Sequence, residues 1–170
     1  MNWDLLVDQS FRLIPPDLAR IFGITVEVSA PQQIPVKSVQ VGQIVDEIGS
    51  ASFFHAFFST ISVHCESDGW GSRYPSLMNG LYQGEVSVAE AATALHELRD
   101  AKTVLLAIPP TGVVWDIENR EAMPPWGSQI SSEITSLGNY FVSSTGRDLF
   151  ELLDEALSAA VQEKAHATIV

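Results

Sequence analysis

Apolar residues from Phe53 to Cys65 recur with the period of a helix, not of a strand. At about 100° per residue, Phe53, Phe54, Phe57, Phe58 and Ile61 share one broad face. Only His55, Ser59 and Ser62 are left as a narrow polar seam, so this helix belongs in the core, with Ser52 as its expected cap. A second long helix is predicted from the capping-box pattern Ser87-Val88-Ala89-Glu90 to about Ala107. Its apolar face carries Val88, Ala91, Leu95, Leu98 and Leu105, and Pro109-Pro110 ends it. A third runs from Arg147 to Ala165 behind Thr145, with Leu149, Phe150, Leu153, Leu157 and Val161 facing inward. Pro75 to Tyr82 reads as a short helix that starts with proline in its first turn.

Strand patterns fill the gaps. Val36 to Ile48 alternates and is β-branched, with Gly42 as either a hairpin turn or a bulge in one long strand; the bulge is the favoured reading. Val113–Ile117, Leu137–Ser143 and a terminal Ala167–Val170 are further strand candidates. The order predicts an α+β fold, a mixed or largely antiparallel sheet packed against three to four helices. Residues 36–170 form one compact unit in this reading. Residues 1–35 stand apart as an N-terminal arm or extension, with a short helix from Trp3 to Leu13, a turn capped by Asp17, a strand over Ile24–Val28, and Pro31 and Pro35 as punctuation. The 19 residues from Glu118 to Ser136 show no period, which marks a functional loop or a misread element.

Charge narrows the possible partners. Twenty-one acids against nine bases give a net charge of -12 and a pI near 4.5. Such a chain repels nucleic acid and membrane phosphate and attracts basic partners. The bases form no run, which argues further against nucleic-acid binding. Hydrophobic residues make up 46% and charged ones 18%, enough for a packed core. The single cysteine, Cys65, suits a reducing compartment. The first residues have no basic region followed by an apolar run, and no apolar stretch approaches the roughly 18 residues that span a bilayer. A cytoplasmic location is expected.

Candidate chemistry is sparse. His55 lies one helical turn from Ser59, the spacing of a base beside a nucleophile, but such pairs arise often by chance. His64 and Cys65 read better as a hydrogen-bonded core histidine and an inert thiol. His96 faces Asp100 as an ordinary surface pair, and His166 is uninformative. Asp116 and Glu118 alternate near Glu121, a weak oxygen-rich pattern that reads better as solvated acids than as a metal site. No zinc-type spacing, nucleophile elbow or phosphate-binding loop is present, so no catalytic residue, metal or cofactor is expected. The last helix presents Asp148, Glu151, Asp154 and Glu155 on one exposed arc. Asp148 and Glu151 also complement the helix dipole, which accounts less well for Asp154 and Glu155. Trp70 in Gly69-Trp70-Gly71 and Trp126 in Pro124-Pro125-Trp126-Gly127 sit on rigid loops as either interface anchors or core plugs; Trp115 is read as a plug.

Several blocks occur together in order: Gly49–Ser62, Asp68-Gly69-Trp70-Gly71-Ser72, Val114-Trp115-Asp116-Ile117-Glu118, Pro124-Pro125-Trp126-Gly127, Ile130–Ile134, Asn139-Tyr140-Phe141-Val142 and Gly146–Phe150. They resemble the Immunity protein 70 family of bacterial polymorphic toxin systems, over roughly Val39 to Ala160. The resemblance implies a small cytosolic α+β protein that binds and neutralises a cognate toxin C-terminal domain, and it brings no catalytic residues. Many such toxins are nucleases, whose clefts are basic, and carboxylates suit a protein that blocks one. The expected contact residues are Asp116, Glu118, Glu121 and Trp126 on the long loop, Asp148, Glu151, Asp154 and Glu155 on the last helix, and Trp70. Two alternatives stay open: a small hydrolase or toxin-modifying enzyme using His55 with Ser59 or Glu66, and an interaction module with residues 1–35 as its docking arm.

Overall fold

A computed structural model describes residues 35–170; the arm expected over 1–35, with its helix, turn and strand, lies outside the described residues apart from Pro35. Strands β1 (Val36–Val41) and β2 (Ile44–Ser50) lead into helix α1 (Ala51–Cys65) and a π-helical turn (Ser76–Leu81). Strand β3 (Glu85–Val86), helix α2 (Ala91–Leu105), helix α3 (Leu149–Glu163) and strand β4 (Ala167–Ile169) follow. The four strands form one antiparallel sheet in the order β2-β1-β4-β3, so the fold is α+β as expected.

Gly42 is a hairpin turn, not a bulge in one long strand. Val41 pairs with Ile44, and Gly42 has φ +56, the conformation glycine supplies at the first position of a two-residue loop. The bulge lies at the other end of the hairpin. Lys37 pairs with Gly49 and Ser38 with Glu47, which leaves Ile48 as the extra residue, and its carbonyl accepts the Ser144 N–H.

Helix α1 is the core element. Phe57, Phe58 and Ile61 are fully buried, and Phe57 meets Phe141 and Phe150 edge-on, which ties the helix to the start of α3. The expected polar seam is also mostly inside: Ser59 and Ser62 are buried and His55 is half-buried, and the neighbouring Thr60 is fully buried. Ser50 caps α1, not Ser52, because Ser50 is the residue with extended backbone; its hydroxyl accepts the Phe53 N–H.

The other helices start later than their sequence signals. Ser87 and Glu90 bond each other at 2.6 Å instead of capping backbone, so residues 87–90 form a turn and α2 begins at Ala91. Val88 precedes the helix and stays exposed. Asp148 caps α3 by accepting the Glu151 N–H at 3.1 Å, while Thr145 bonds Ser143. Val161, in the last turns of α3, is exposed.

Two expected strands are absent. Val113–Ile117 runs along α1, whose hydroxyls take the place of a sheet partner: Thr60 Oγ1 accepts from Val114 N and donates to Val114 O, both at 3.1 Å, and Ser59 Oγ accepts from Ile117 N. Leu137–Ser143 begins with a 3-10 turn over Leu137–Asn139, closed by a Ser136–Asn139 capping box, and keeps one strand-like bridge, Val142 to Asp148.

Candidate functional site

The nine residues singled out by sequence fall into three settings that differ in what already binds them. On α3, every carboxylate of the predicted arc has a cation close by. Arg99, from α2, holds Asp154 with two bonds of 2.5 and 2.8 Å, the fork geometry that suits guanidinium and carboxylate. This bond keeps the Asp154 carboxyl below its ordinary pKa. Arg147 spans Glu155 at 2.6 Å and Asp46 of β2 at 3.2 Å. Lys102 stands 3.9 Å from both Asp148 and Glu151. Three cations thus serve five carboxylates, and the α3 face is an ion-pair lattice rather than a free acidic stripe.

Trp70 sits in a closed loop built around Glu66. This carboxylate is buried and accepts three backbone N–H groups, from Gly71 at 2.7 Å, Tyr74 at 3.1 Å and Arg73 at 3.3 Å. Gly71 has φ +73, and a side chain there would collide with the Asn79 amide. The Trp70 indole packs edge-on against Tyr82 and donates to the Met78 carbonyl at 3.1 Å. Its polar and apolar parts are both engaged within the fold.

The third setting is the aperiodic loop, whose root is fixed and whose tip is open. Asp116 Oδ1 accepts the Glu118 and Asn119 N–H groups and lies 3.3 Å from His55 Nε2. The Glu118 N–H is the main cause of the lowered Asp116 pKa. His55 Nδ1 in turn lies 2.8 Å from the Tyr82 hydroxyl. Beyond this root, Trp126 is 38% exposed, donates to the Tyr140 hydroxyl at 3.0 Å and meets Trp115 edge-on. Gly127, at φ +61, turns the chain behind it. Glu118 and Glu121 are exposed, and among the described residues neither has a salt-bridge partner.

Beside this tip opens a cavity of about 350 Å³, walled by Val113, Trp115, Met123, Pro124, Ile130 and Tyr140, with Arg120 at its side. Sequence reasoning pointed to the loop through its missing period and paired prolines. It did not find Met123, Arg120, Ile130 or Tyr140, which come together only through the loop's path across the core.

The residues considered for catalysis do not assemble. Ser59 is buried and bonded to Ile117, His55 is held between Asp116 and Tyr82, and Glu66 is filled by three N–H donors. His64 Nε2 bonds the Gly112 carbonyl at 2.7 Å, and burial pushes the Cys65 thiol up to about 11, which leaves it unreactive. Asp100, expected to face His96, is taken by Arg73 and Tyr74, and His166 meets Glu85 at 3.1 Å. Among the described residues no cluster of His, Cys, Asp and Glu is arranged to hold a metal ion, and no helix is long and apolar enough to cross a membrane.

No curated protein and no solved structure matches the chain. A family model does. The model of Immunity protein 70 covers residues 39–169, which takes in the sheet from Val39 onward, the three described α-helices, the closed Trp70 loop and the open Trp126 loop, and the chain belongs to that family of toxin-system immunity proteins.

Proposed function

We propose that this immunity protein neutralises a basic toxin domain by stoichiometric binding in the cytoplasm, masking the toxin's positive cleft rather than modifying it chemically. A nuclease fits that description best, because its cleft has to hold phosphate. The observation that carries the reading is the contrast between carboxylates. Those of α3 are engaged by Arg99, Lys102 and Arg147, whereas Glu118 and Glu121 stand exposed on a loop anchored at its root. An acid already paired gains less from a second cation than one facing water alone. The loop is therefore the principal contact surface, with Asp154, Glu155 and their neighbours adding to the long-range field of the -12 charge. Residues 1–35 are peripheral in this reading, so a chain lacking them still protects.

The test is association kinetics with a toxin C-terminal domain that co-purifies with this chain. Association should slow markedly between about 50 and 500 mM salt, as screening shortens the reach of surface charge. Glu118→Gln with Glu121→Gln should slow it about tenfold at low salt, and Asp154→Asn with Glu155→Gln should slow it about twofold. An association rate indifferent to salt, or substoichiometric protection by turnover, would overturn the reading.

A further inference from the structure

We propose that the cavity walled by Val113, Trp115, Met123, Pro124, Ile130 and Tyr140 is an anchor pocket that receives a single aromatic or long aliphatic side chain of the toxin, flanked by cations that meet Glu118 and Glu121. This inference rests on the masking role above and adds to it the chemistry of the central contact.

Size comes first. At about 350 Å³ the cavity is at the bottom of the range for small-molecule sites, and it suits one large side chain better than a cofactor. Its walls are mostly apolar, and Met123, 63% exposed, stands at its edge as an adaptable surface. Tyr140 and Arg120 are its main polar features. The Tyr140 hydroxyl already accepts the Trp126 N–H, so its own proton is available to a partner carbonyl.

Rigidity comes second. The wall at Val113–Trp115 is fixed by the paired Thr60–Val114 bonds, and the loop behind Met123 is closed by hydrogen bonds from Gly127 to Pro124 and from Gln129 to Trp126. Asn139 stitches the far side by donating to Glu133 and accepting from Thr135 and Ser136. A pocket held open in this way binds without first ordering its own loop, which is what favours tight anchoring.

Charge complementarity selects the occupant. Around the cavity, residues 111–140 carry Asp116, Glu118, Glu121 and Glu133 against the single base Arg120. An apolar side chain embedded in basic surface matches that rim. A free hydrophobic metabolite gains nothing from it, and an acidic one is repelled by it. The expected division of labour is that the rim speeds encounter while the pocket slows departure.

That division gives the experiment. The full chain, Ala122→Trp and Met123→Ala are compared against the same co-purifying toxin domain by biolayer interferometry. Ala122 lines the cavity, so tryptophan there fills it; Met123 is exposed, so its truncation leaves the core untouched. Ala122→Trp should raise the dissociation rate at least tenfold and Met123→Ala about threefold, with association rates and their salt dependence within twofold of the parent. Dissociation at the parental rate in both variants would overturn the pocket while leaving masking intact. Should Ala122→Trp fail to fold, an unchanged rate in Met123→Ala alone overturns it. Absence of any complex between the parent chain and the toxin would overturn both ideas together.

Discussion

The Trp70 loop holds its tryptophan between two glycines and the Trp126 loop between proline and glycine, and each draws on neighbouring acids, yet they are built to opposite ends. Around Trp70 the acid points inward: Glu66 is buried and collects three N–H groups, and the indole nitrogen is satisfied by Met78. Around Trp126 the acids Glu118 and Glu121 point to water, the indole is 38% exposed, and a cavity lies open beside it. The first loop spends its polar groups on holding the chain together. The second spends them at its root, through Asp116, Thr60 and Ser59, and leaves the Glu118 and Glu121 carboxylates to water. The difference teaches that a tryptophan framed by glycine or proline is not a functional signal by itself. In the masking role proposed above, what separates anchor from plug is whether the carboxylates beside it are consumed by the protein's own backbone.

The largest expected effect breaks the closed loop. Glu66→Ala removes the acceptor of three N–H groups in a buried site, and each such loss costs about 1–3 kcal/mol. A destabilisation of about 3 kcal/mol or more is expected in urea denaturation. A loss below about 1 kcal/mol would mean that water replaces the carboxylate and that the loop is not closed. Next in size is the direct comparison. Trp70→Ala should cost about 3 kcal/mol, as for a packed aromatic. Trp126→Ala should cost about 1 kcal/mol, because part of the ring already faces solvent. In toxin binding the order should reverse, with Trp126→Ala raising the dissociation rate and Trp70→Ala leaving it unchanged in whatever fraction folds. Equal stability losses would remove the distinction between the two loops.

A third substitution tests whether the open loop is truly rooted. Thr60 lies fully buried in α1, and its hydroxyl serves both backbone groups of Val114. Thr60→Val keeps the shape and strands both groups, so about 2 kcal/mol should be lost. Faster amide exchange at Val114 and Ile117 than at α1 positions should accompany it. Exchange unchanged at Val114 would show that the segment is held by packing alone.

Thr60 also shows why part of the molecule was legible in sequence and part was not. The helical period over Phe53–Cys65 announced α1 because packing and propensity agree there, and the terminal Ala167–Ile169 strand was visible for the same reason. Val113–Ile117 has the composition of a strand, and its backbone does find partners, but they are side chains of a helix some 50 residues earlier, which local pattern cannot reveal. At Gly42 the bulge was favoured over the hairpin because one glycine in an alternating run fits either. At the candidate site, type and setting singled out the acids and Trp126, but they left Trp126 open between anchor and plug. The pairing of the α3 acids was not, because Arg99 and Lys102 come from α2 and Arg147 turns back from outside the helix. The cavity was unreadable for a similar reason: its walls join residues from 111 to 140 that only the folded path brings side by side.

The smallest expected effect sharpens the comparison at the loop root by pH. Asp116 has its pKa below the ordinary aspartate value of 3.8, first through the Glu118 N–H and also through His55. A carboxyl with a depressed folded-state value stays ionised to lower pH than in the unfolded chain. Its stabilising contribution is therefore complete above pH 3.8 and is lost as pH falls through the lower folded value. The amides of Glu118 and Asn119, both bonded to Asp116 Oδ1, should report this as chemical-shift changes with a midpoint below 3.8. In Asp116→Asn, which keeps an acceptor oxygen but cannot ionise, that transition should vanish from both amides. A midpoint at or above 3.8 in the parent chain would mean that Asp116 is solvated rather than bonded. The root would then rest on the Thr60 and Ser59 bonds to Val114 and Ile117 alone.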